Sequence, residues 1–392
     1  MPDSAKSPNG QLKLSVIIPT CNRADIIVEN LRCLSRQLLP ADHYEVLVGD
    51  DASADDTFAR LQGERTPYAL RLFRMDERSG PGKVRNRLIA EAKAEKLVIL
   101  NDDALLAASG LAMHEEVLEM TRGRNIAVLG KFSFPEDFQQ TVMGCLLEHT
   151  NLSFRYPLME PHSLYGAMGF YSCNLGIYKS AVVEAGGFDE GLPGTGAEDI
   201  ELGDRLAKRG HMVLYIDECL AIHEHRLTIH DFCRAQIGRG AGGVLRPFNQ
   251  PELVFHYDDI DPDALARLRQ ELPKAQAAVT ALADAVHALH LRSRPDASIV
   301  LGTEIPWRDE PLRYSSHTLW RLDAAGMAKE AQQALREVTS LHLLKKLKPQ
   351  ALGALFQVCS LLKWYYDTIG VAQSPWIDAF AADTPRRKLS RG

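Results

Sequence analysis

Leu97-Val98-Ile99-Leu100-Asn101-Asp102-Asp103 is the stretch on which the fold is decided: a short apolar run of β-rich character that closes on an amide and two acids. An earlier segment, Tyr44-Glu45-Val46-Leu47-Val48-Gly49, has the same plan and closes on Asp50-Asp51. Such apolar runs suit buried parallel strands. In open α/β sheets ligands bind just beyond the carboxyl ends of these strands. A carboxylate placed there is costly unless it meets a cation, a hydrogen-bond donor or water, so two strands ending in acids point to a shared polar crevice. Asp also starts turns. That explains either cluster alone, but less well an ordered set that continues with Glu198-Asp199 and His223.

Outward from these strands, residues 13–130 alternate strand and helix signals. The pattern predicts strands near 14–19, 44–49, 69–74, 96–101 and 126–130, with helices over 24–38, 55–64, 81–95 and 109–122. It is the pattern of βαβ units and a parallel sheet. Pro81 after Ser79-Gly80 suits the first turn of its helix, and Ser53 with Asp56 has the form of a capping arrangement. Between 131 and 170 the periodicity weakens, with a helix expected near 137–149 and then loops that shape an acceptor site. A strand over 172–178, a short helix over 180–185, a helix over 197–209 and a strand over 212–217 follow. The leader Gly191-Leu192-Pro193-Gly194-Thr195-Gly196 permits close backbone approach to a ligand. Residues 262–290, 316–337 and 341–370 carry helical spacing. The division expected is therefore a tail over 1–12, an α/β domain over 13–250 and an all-helical region over 251–392.

A chain of 392 residues with 45% hydrophobic content is long enough for one large α/β domain and an extension. Its formal net charge of −6, with mixed signs throughout, gives no reason to expect nucleic acid as a partner. Seven scattered cysteines without a Cys-x-x-Cys pair argue against a disulfide framework and a zinc ribbon, and fit a reducing cytoplasm. The first residues do not read as a secretory signal, and no apolar run is long enough to span a bilayer. Lys345, Lys346, Lys348 and Lys363, beside Leu343, Leu344, Phe356, Trp364 and Tyr365, have the composition of a basic amphipathic helix at a membrane surface. An ordinary core-facing helix with solvated lysines has it too. The expected location is cytoplasmic, with peripheral contact at the inner face of the membrane through these helices as an extension of it.

The order of the motifs carries a family resemblance. Ser15-Val16-Ile17-Ile18-Pro19-Thr20-Cys21-Asn22-Arg23, Val48-Gly49-Asp50-Asp51-Ala52-Ser53, Arg85-Asn86, Leu100-Asn101-Asp102-Asp103, Cys173-Asn174-Leu175, Gly186-Gly187-Phe188-Asp189-Glu190 and Glu198-Asp199-Ile200-Glu201-Leu202-Gly203 closely resemble family 2 glycosyltransferases of the GT-A fold, a Rossmann-like, mainly parallel sheet flanked by helices. The resemblance spans about residues 13–245 and leaves the C-terminal helices outside it. It implies an inverting enzyme that moves a sugar from a nucleotide-diphospho-sugar to a hydroxyl of a glycan, a lipid-linked or another acceptor, as in polysaccharide biosynthesis. A divalent cation, Mn²⁺ or Mg²⁺, would stabilise the departing diphosphate.

The resemblance also implies roles for residues. Asp103 and His223 would hold the metal, and Asp102 would meet the ribose hydroxyls. Asn101 departs from relatives that carry a first Asp. Pro19, Thr20 and Arg23 would line the base and ribose pocket, and Asp51 would accept from a base N–H, as uracil, thymine or guanine can offer. Arg85 would contact the nucleotide or diphosphate. Asp199 would be the base that takes the acceptor hydroxyl proton. It shares a helix face with Leu202 and Leu206 and so should point inward, while the helix N-terminus should favour its ionised form and limit its basicity. Glu198 is explained without catalysis by a Thr195–Glu198 capping box. His225 and His230 compete with His223, and His223 with His225 has the makings of a separate transition-metal site, although no cysteine spacing supports one.

Gln236-Ile237-Gly238-Arg239-Gly240 partly resembles the Gln-x-x-Arg-Trp signature of processive members, with Gly240 in place of the stacking Trp. Transfer of one or a few sugars is expected. Two other readings compete. A silent nucleotide-sugar-binding or scaffold protein is opposed by the intact Asp103, Asp199 and His223. A nucleotidyltransferase is opposed by the absence of glycine from Pro19-Thr20-Cys21-Asn22-Arg23.

Overall fold

The computed structural model describes residues 12–192, 198–243, 262–289, 324–341 and 349–373. They fall into two compact units. The first gathers the described residues up to Pro135 with Leu158–Leu192 and Glu198–His225; the second gathers Glu136–Pro157 and the described residues from Arg226 onward.

In the first unit β1 (Leu14–Thr20), β2 (Tyr44–Asp50), β3 (Ala69–Arg74) and β4 (Lys96–Leu100) run parallel in the order β3-β2-β1-β4. They are joined through α1 (Ala24–Leu34), α2 (Thr57–Gly63) and α3 (Pro81–Glu91). Every residue of β2 and β4 is buried, which is why their apolar runs are continuous rather than alternating. The exception in β2, Glu45, is satisfied by the Ser15 hydroxyl, the Lys93 N–H and Arg71. Those contacts also end α3 at Glu91, short of the expected 95, because the N–H groups of Lys93 and Ala94 turn away to Glu45 and Ser15. Likewise α1 stops at Leu34, short of 38, where the Gln37 side chain donates to the carbonyls of Leu106 and Ala107.

Beyond β4 the sheet becomes mixed. From β4 it continues through β8 (Asn174–Tyr178), β6 (Ile126–Ser133), β9 (Met212–His223) and β5 (Ala104–Leu106), with β7 (Leu164–Tyr165) attached to β9, and β8 runs antiparallel to both β4 and β6. Asn174 fastens this half. Its Nδ2 donates to the carbonyls of Lys131 and Cys219 at 3.1 and 2.9 Å, and its Oδ1 meets Nε2 of buried His114, on α4 (Gly110–Met120), at 2.8 Å. Burial pushes the His114 pKa down to about 4, so the neutral ring donates to that oxygen. Gly130 leaves the room for this pin, since a Cβ there would lie 2.2 Å from Asn174 Nδ2. After α7 (Lys179–Glu184) and α8 (Glu198–Lys208), β9 (Met212–His223) is longer than the expected 212–217, because a three-residue strand, β5 (Ala104–Leu106), pairs with Ala221–His223. The expected Ser53–Asp56 cap is not formed: the Ser53 hydroxyl accepts from the Asn22 N–H at 2.8 Å, tying the loop after β2 to the loop after β1. Thr195, the first half of the other proposed capping box, lies outside the described residues.

The second unit holds α5 (Glu136–Gln139), α6 (Val142–His149), α9 (Ile229–Gly243), α10 (Pro262–His287), α11 (Ala324–Leu341) and α12 (Pro349–Gln373). Gln236 of α9 is fully buried and accepts from Lys363 Nζ at 3.1 Å, while Lys363 also pairs with Asp367 at 2.8 Å. Gly240 packs against α12, where a Cβ would lie 2.0 Å from the Asp367 carbonyl oxygen. The absence of Trp at this position is thus a packing requirement between two helices. Gly240→Ala is expected to destabilise by about 1–3 kcal/mol, read as a lower urea midpoint; an unchanged midpoint would contradict the close approach.

The expected basic membrane face is not supported by the residues that can be placed. Lys363 is ion-paired, Phe356 and Tyr365 are buried in the helical unit, and Leu343, Leu344, Lys345, Lys346 and Lys348 lie outside the described residues. No described helix is long and apolar enough to cross a membrane. All seven cysteines are free.

Candidate active site

The carboxyl ends of β1, β2 and β4, with the end of β9, bring most of the expected residues together. At the end of β4, Asp102 accepts from the Thr20 hydroxyl at 2.8 Å and from Arg23 at 3.1 Å, and the same Arg23 Nη1 reaches Asp103 at 2.9 Å. Pro19 and Thr20 close β1 beside Gly49 and Asp50 of β2. Thus Thr20, Arg23, Asp102 and Asp103 meet directly, and Arg23 supplies the positive charge nearest the two acids.

Asp103 is 2% exposed. Its Oδ2 lies 3.5 Å from His223 Nε2 and 3.6 Å from His225 Nδ1, whereas its Oδ1 is buried without a hydrogen-bond partner. The three side chains can each offer a ligand atom within one small volume. His223 is held by rings, stacked on Phe132 at a centroid distance of 4.1 Å and tilted against Phe134 at 4.8 Å. An orphaned carboxylate oxygen beside two imidazoles fits a divalent metal, which accepts both donor types. His225 therefore joins Asp103 and His223 in one cluster, and no separate two-histidine site is formed. His230, the other competitor, lies instead beside Asp284 of α10 and is tilted against the His287 ring.

The two acids differ in their electrostatics. Burial and the charge of Asp103 push Asp102 well above the usual carboxylate range, against the pull of Arg23 and Thr20. Burial would raise Asp103 too, but His223, Arg23 and His225 hold it below that range. Asp103 is accordingly the member that stays ionised and suits a cation.

Asn30, on the buried face of α1, was not singled out from sequence. Its Nδ2 donates to the carbonyls of Asn101, Asp102 and Ala104 at 3.1, 3.0 and 3.1 Å, clamping the turn that carries the acids. A buried Asn among the apolar positions Ile27, Val28 and Leu31 was the available signal. Asn30→Leu is expected to cost about 1–3 kcal/mol by leaving carbonyls unpaired, measured by urea unfolding; no change would show that the turn holds itself.

Asp51 is 5% exposed and accepts from the N–H and hydroxyl of Ser79 at 2.7 and 2.9 Å and from the Gly80 N–H at 2.8 Å. Its carboxylate fixes the entry to α3. Arg85 is also buried, paired with Glu198 and bonded to Asn101. Glu198 thus has an ion-pair role that a cap alone did not anticipate.

Asp199, in the first turn of α8, receives the Ile200 N–H at 2.8 Å and the Ser172 N–H at 3.4 Å, and keeps part of its surface open. Leu202 and Leu206 of the same face are buried. The expectation that the helix end limits its basicity is overturned: burial first, then the Glu198 carboxylate, raises its pKa to about 6 despite Arg85 and the two N–H donors. Desolvation in this packed setting outweighs a helix-end effect confined to one turn.

The strand ends of this mixed sheet collect Asp102 and Asp103 with His223 and His225, a donor set of the kind that suits a divalent cation. Residues 15–185 match the sequence profile "Glycosyl transferase family 2", so the similarity lies in the α/β part of the chain and leaves the C-terminal helices outside it. Among curated relatives, "Poly(ribitol-phosphate) beta-N-acetylglucosaminyltransferase TarS" of Staphylococcus aureus (strain Mu50 / ATCC 700699) is 36% identical over 93 residues, 24% of this chain and 16% of that protein. "Validoxylamine A glucosyltransferase" of Streptomyces hygroscopicus subsp. jinggangensis (strain 5008) is 30% identical over 223 residues, 50% of this chain and 52% of its own length. The chain therefore spans about one-sixth and about half of these two relatives. Among solved structures, the mannosyltransferase PcManGT from Pyrobaculum calidifontis in complex with GDP-Man and Mn²⁺ superposes with a TM-score of 0.47 at 18% identity, covering 98% of this chain and 90% of that one.

Proposed function

We propose that this protein is an inverting glycosyltransferase that uses a nucleotide-diphospho-sugar, a divalent metal and an acceptor hydroxyl on a glycan or lipid-linked molecule. The observation that carries the reading is the buried, partnerless Oδ1 of Asp103 beside His223 and His225, at the strand end that also carries Asp102, Thr20 and Arg23. Asp103, His223 and His225 would hold the metal. When bound, it would offset the negative charge that grows on the departing diphosphate.

The other residues bind, orient or move a proton. Asp102, fixed by Thr20 and Arg23, meets the ribose hydroxyls; Pro19, Thr20 and Arg23 line the nucleoside pocket. Asp51 is held rigid by Ser79 and Gly80 and keeps acceptor capacity for a base N–H, since an ionised carboxylate offers about four lone-pair sites. Asp199 removes the acceptor hydroxyl proton as that oxygen attacks the anomeric carbon opposite the nucleotide, which inverts that centre. A pKa near the working pH makes it a better base than an ordinary Asp.

Thermal stabilisation by UDP, GDP, dTDP and CDP, each with Mn²⁺ or with EDTA, tests the reading, because a ligand selective for the native state must raise its apparent stability. A shift with one nucleotide that needs the metal is expected, and it identifies the donor class. No shift with any of them at millimolar concentration would overturn the assignment in favour of a silent scaffold.

A further inference from the structure

Among the described residues near this site, Arg85 is a buried cation that neither binds nor moves anything in the scheme above. It is 3% exposed. From α3 its Nη1 donates to Glu198 Oε1 at 2.8 Å, its Nη2 donates to Asn101 Oδ1 at 3.1 Å, and its guanidinium lies 5.3 Å from the centroid of the Phe188 ring. Its Nε is buried without a partner. Both outer nitrogens are thus committed, one to the end of β4 and one to the first turn of α8. A diphosphate could take them only by breaking the buried Arg85–Glu198 ion pair and the bond to Asn101, which is unfavourable.

We propose that Arg85 is a positioning residue that ties the Asn101-Asp102-Asp103 turn to the start of α8, so fixing where Asp199 stands, and that it is not a diphosphate ligand. The proposal rests on the glycosyltransferase reading of Asp199. It also accounts for Asn101. Arg85 and Glu198 already balance in charge, so an amide at 101 completes the bond to Arg85 Nη2 without adding another carboxylate to a cluster that contains Glu198 and Asp199. The neighbouring pin agrees with this geometry: Asn86, next along α3, exchanges hydrogen bonds with the backbone of Phe188, donating to its carbonyl and accepting from its N–H, both at 2.8 Å. Together Arg85 and Asn86 fasten α3 to both the approach to α8 and its first turn.

Among the described residues, the charges that act on Asp199 are Glu198 on its own helix and Arg85 from α3, with the Ser172 N–H ahead of β8 as a neutral donor. They act in opposite directions, which gives a test that mere loss of packing would not mimic. The full chain carrying Arg85→Gln, Arg85→Lys or Glu198→Gln is compared with wild type in three ways. These are stabilisation by UDP and by GDP with Mn²⁺, amide hydrogen exchange over 101–104 and 198–203, and the pH dependence of nucleotide release from the sugar nucleotide of whichever base binds.

For Arg85→Gln, nucleotide affinity is expected to fall by no more than about tenfold, the lower figure for a group that only orients a metal ligand, because Asn30 still clamps the turn, while exchange rises in both segments together. The acid limb of turnover moves to higher pH in Arg85→Gln and to lower pH in Glu198→Gln. Arg85→Lys keeps the charge and holds the limb near its wild-type place, but its single ammonium replaces the two-pronged fork poorly, so exchange still rises. Loss of nucleotide binding in Arg85→Gln with unchanged exchange would make Arg85 a phosphate ligand and overturn the proposal, as would limbs that move the same way. If no nucleotide stabilises even the wild type, the functional reading falls by itself; the tie is then judged on exchange, where a rise in only one segment overturns it.

Discussion

Replacing Asp103 with asparagine is expected to remove metal-dependent nucleotide binding while leaving the protein folded. Asp103 is buried, one oxygen has no partner, and its other oxygen faces His223, His225 and Arg23. The amide keeps the shape but loses the charge that a divalent cation needs. Removing even a group that only orients a metal ligand costs about 10–100-fold in affinity, so loss of the ligand itself should cost at least the upper figure. The measurement is the Mn²⁺-dependent part of the thermal shift with the nucleotide that stabilises wild type. At a nucleotide concentration of 100 times the Kd, that stabilisation is about 2.7 kcal/mol, and the variant is expected to show none of the metal-dependent part. A full metal-dependent shift in the variant would remove Asp103 from the metal site.

Asp199→Asn is expected to have the largest effect on turnover and almost none on nucleotide binding. A positioned general base contributes about 10²–10⁴-fold to rate, and asparagine cannot accept the proton. Nothing places Asp199 against Asp102 or Asp103, so the nucleotide–metal shift should persist. Two further results separate a base from a structural acid. Asp199 must be ionised to act and its pKa is raised to about 6, so wild-type turnover should fall as pH drops through that value and the fall should vanish in the variant. The same shift means that the folded state disfavours the charged form; above the ordinary Asp pKa this costs stability, and Asp199→Asn should unfold at higher urea at pH 7. Wild-type turnover in the variant, or a lower urea midpoint with turnover lost in proportion, would count against the base assignment.

Much of this was legible from local chemistry. The runs 44–49 and 97–100 are apolar without alternation because both faces of β2 and β4 are covered, and acids at their ends stand out for that reason. Asp102 and Asp103 stood out as candidates from this contrast, and Asp199 and His223 from motif order. Other features had no local signal. β5 is three residues long and exists only because β9 offers an edge, yet that pairing carries His223 to Asp103 and leaves His225 beside it. Asn30 looks like any helix-borne Asn until three carbonyls from another element converge on it. Arg85 has the same composition whether it meets a phosphate or Glu198.

The sequence by itself determined that strands alternate with helices over the first half of the chain, that acids close two of those strands, and which family the order of motifs resembles. These depend on periodicity and on neighbours along the chain. The tertiary structure decided which acid stays ionised, that Asp199 becomes more basic rather than less, and that Lys363, Phe356 and Tyr365 turn into the helical unit. A pKa or the direction of a long side chain is set by burial and by charges brought from distant segments, and no spacing along the chain encodes those distances.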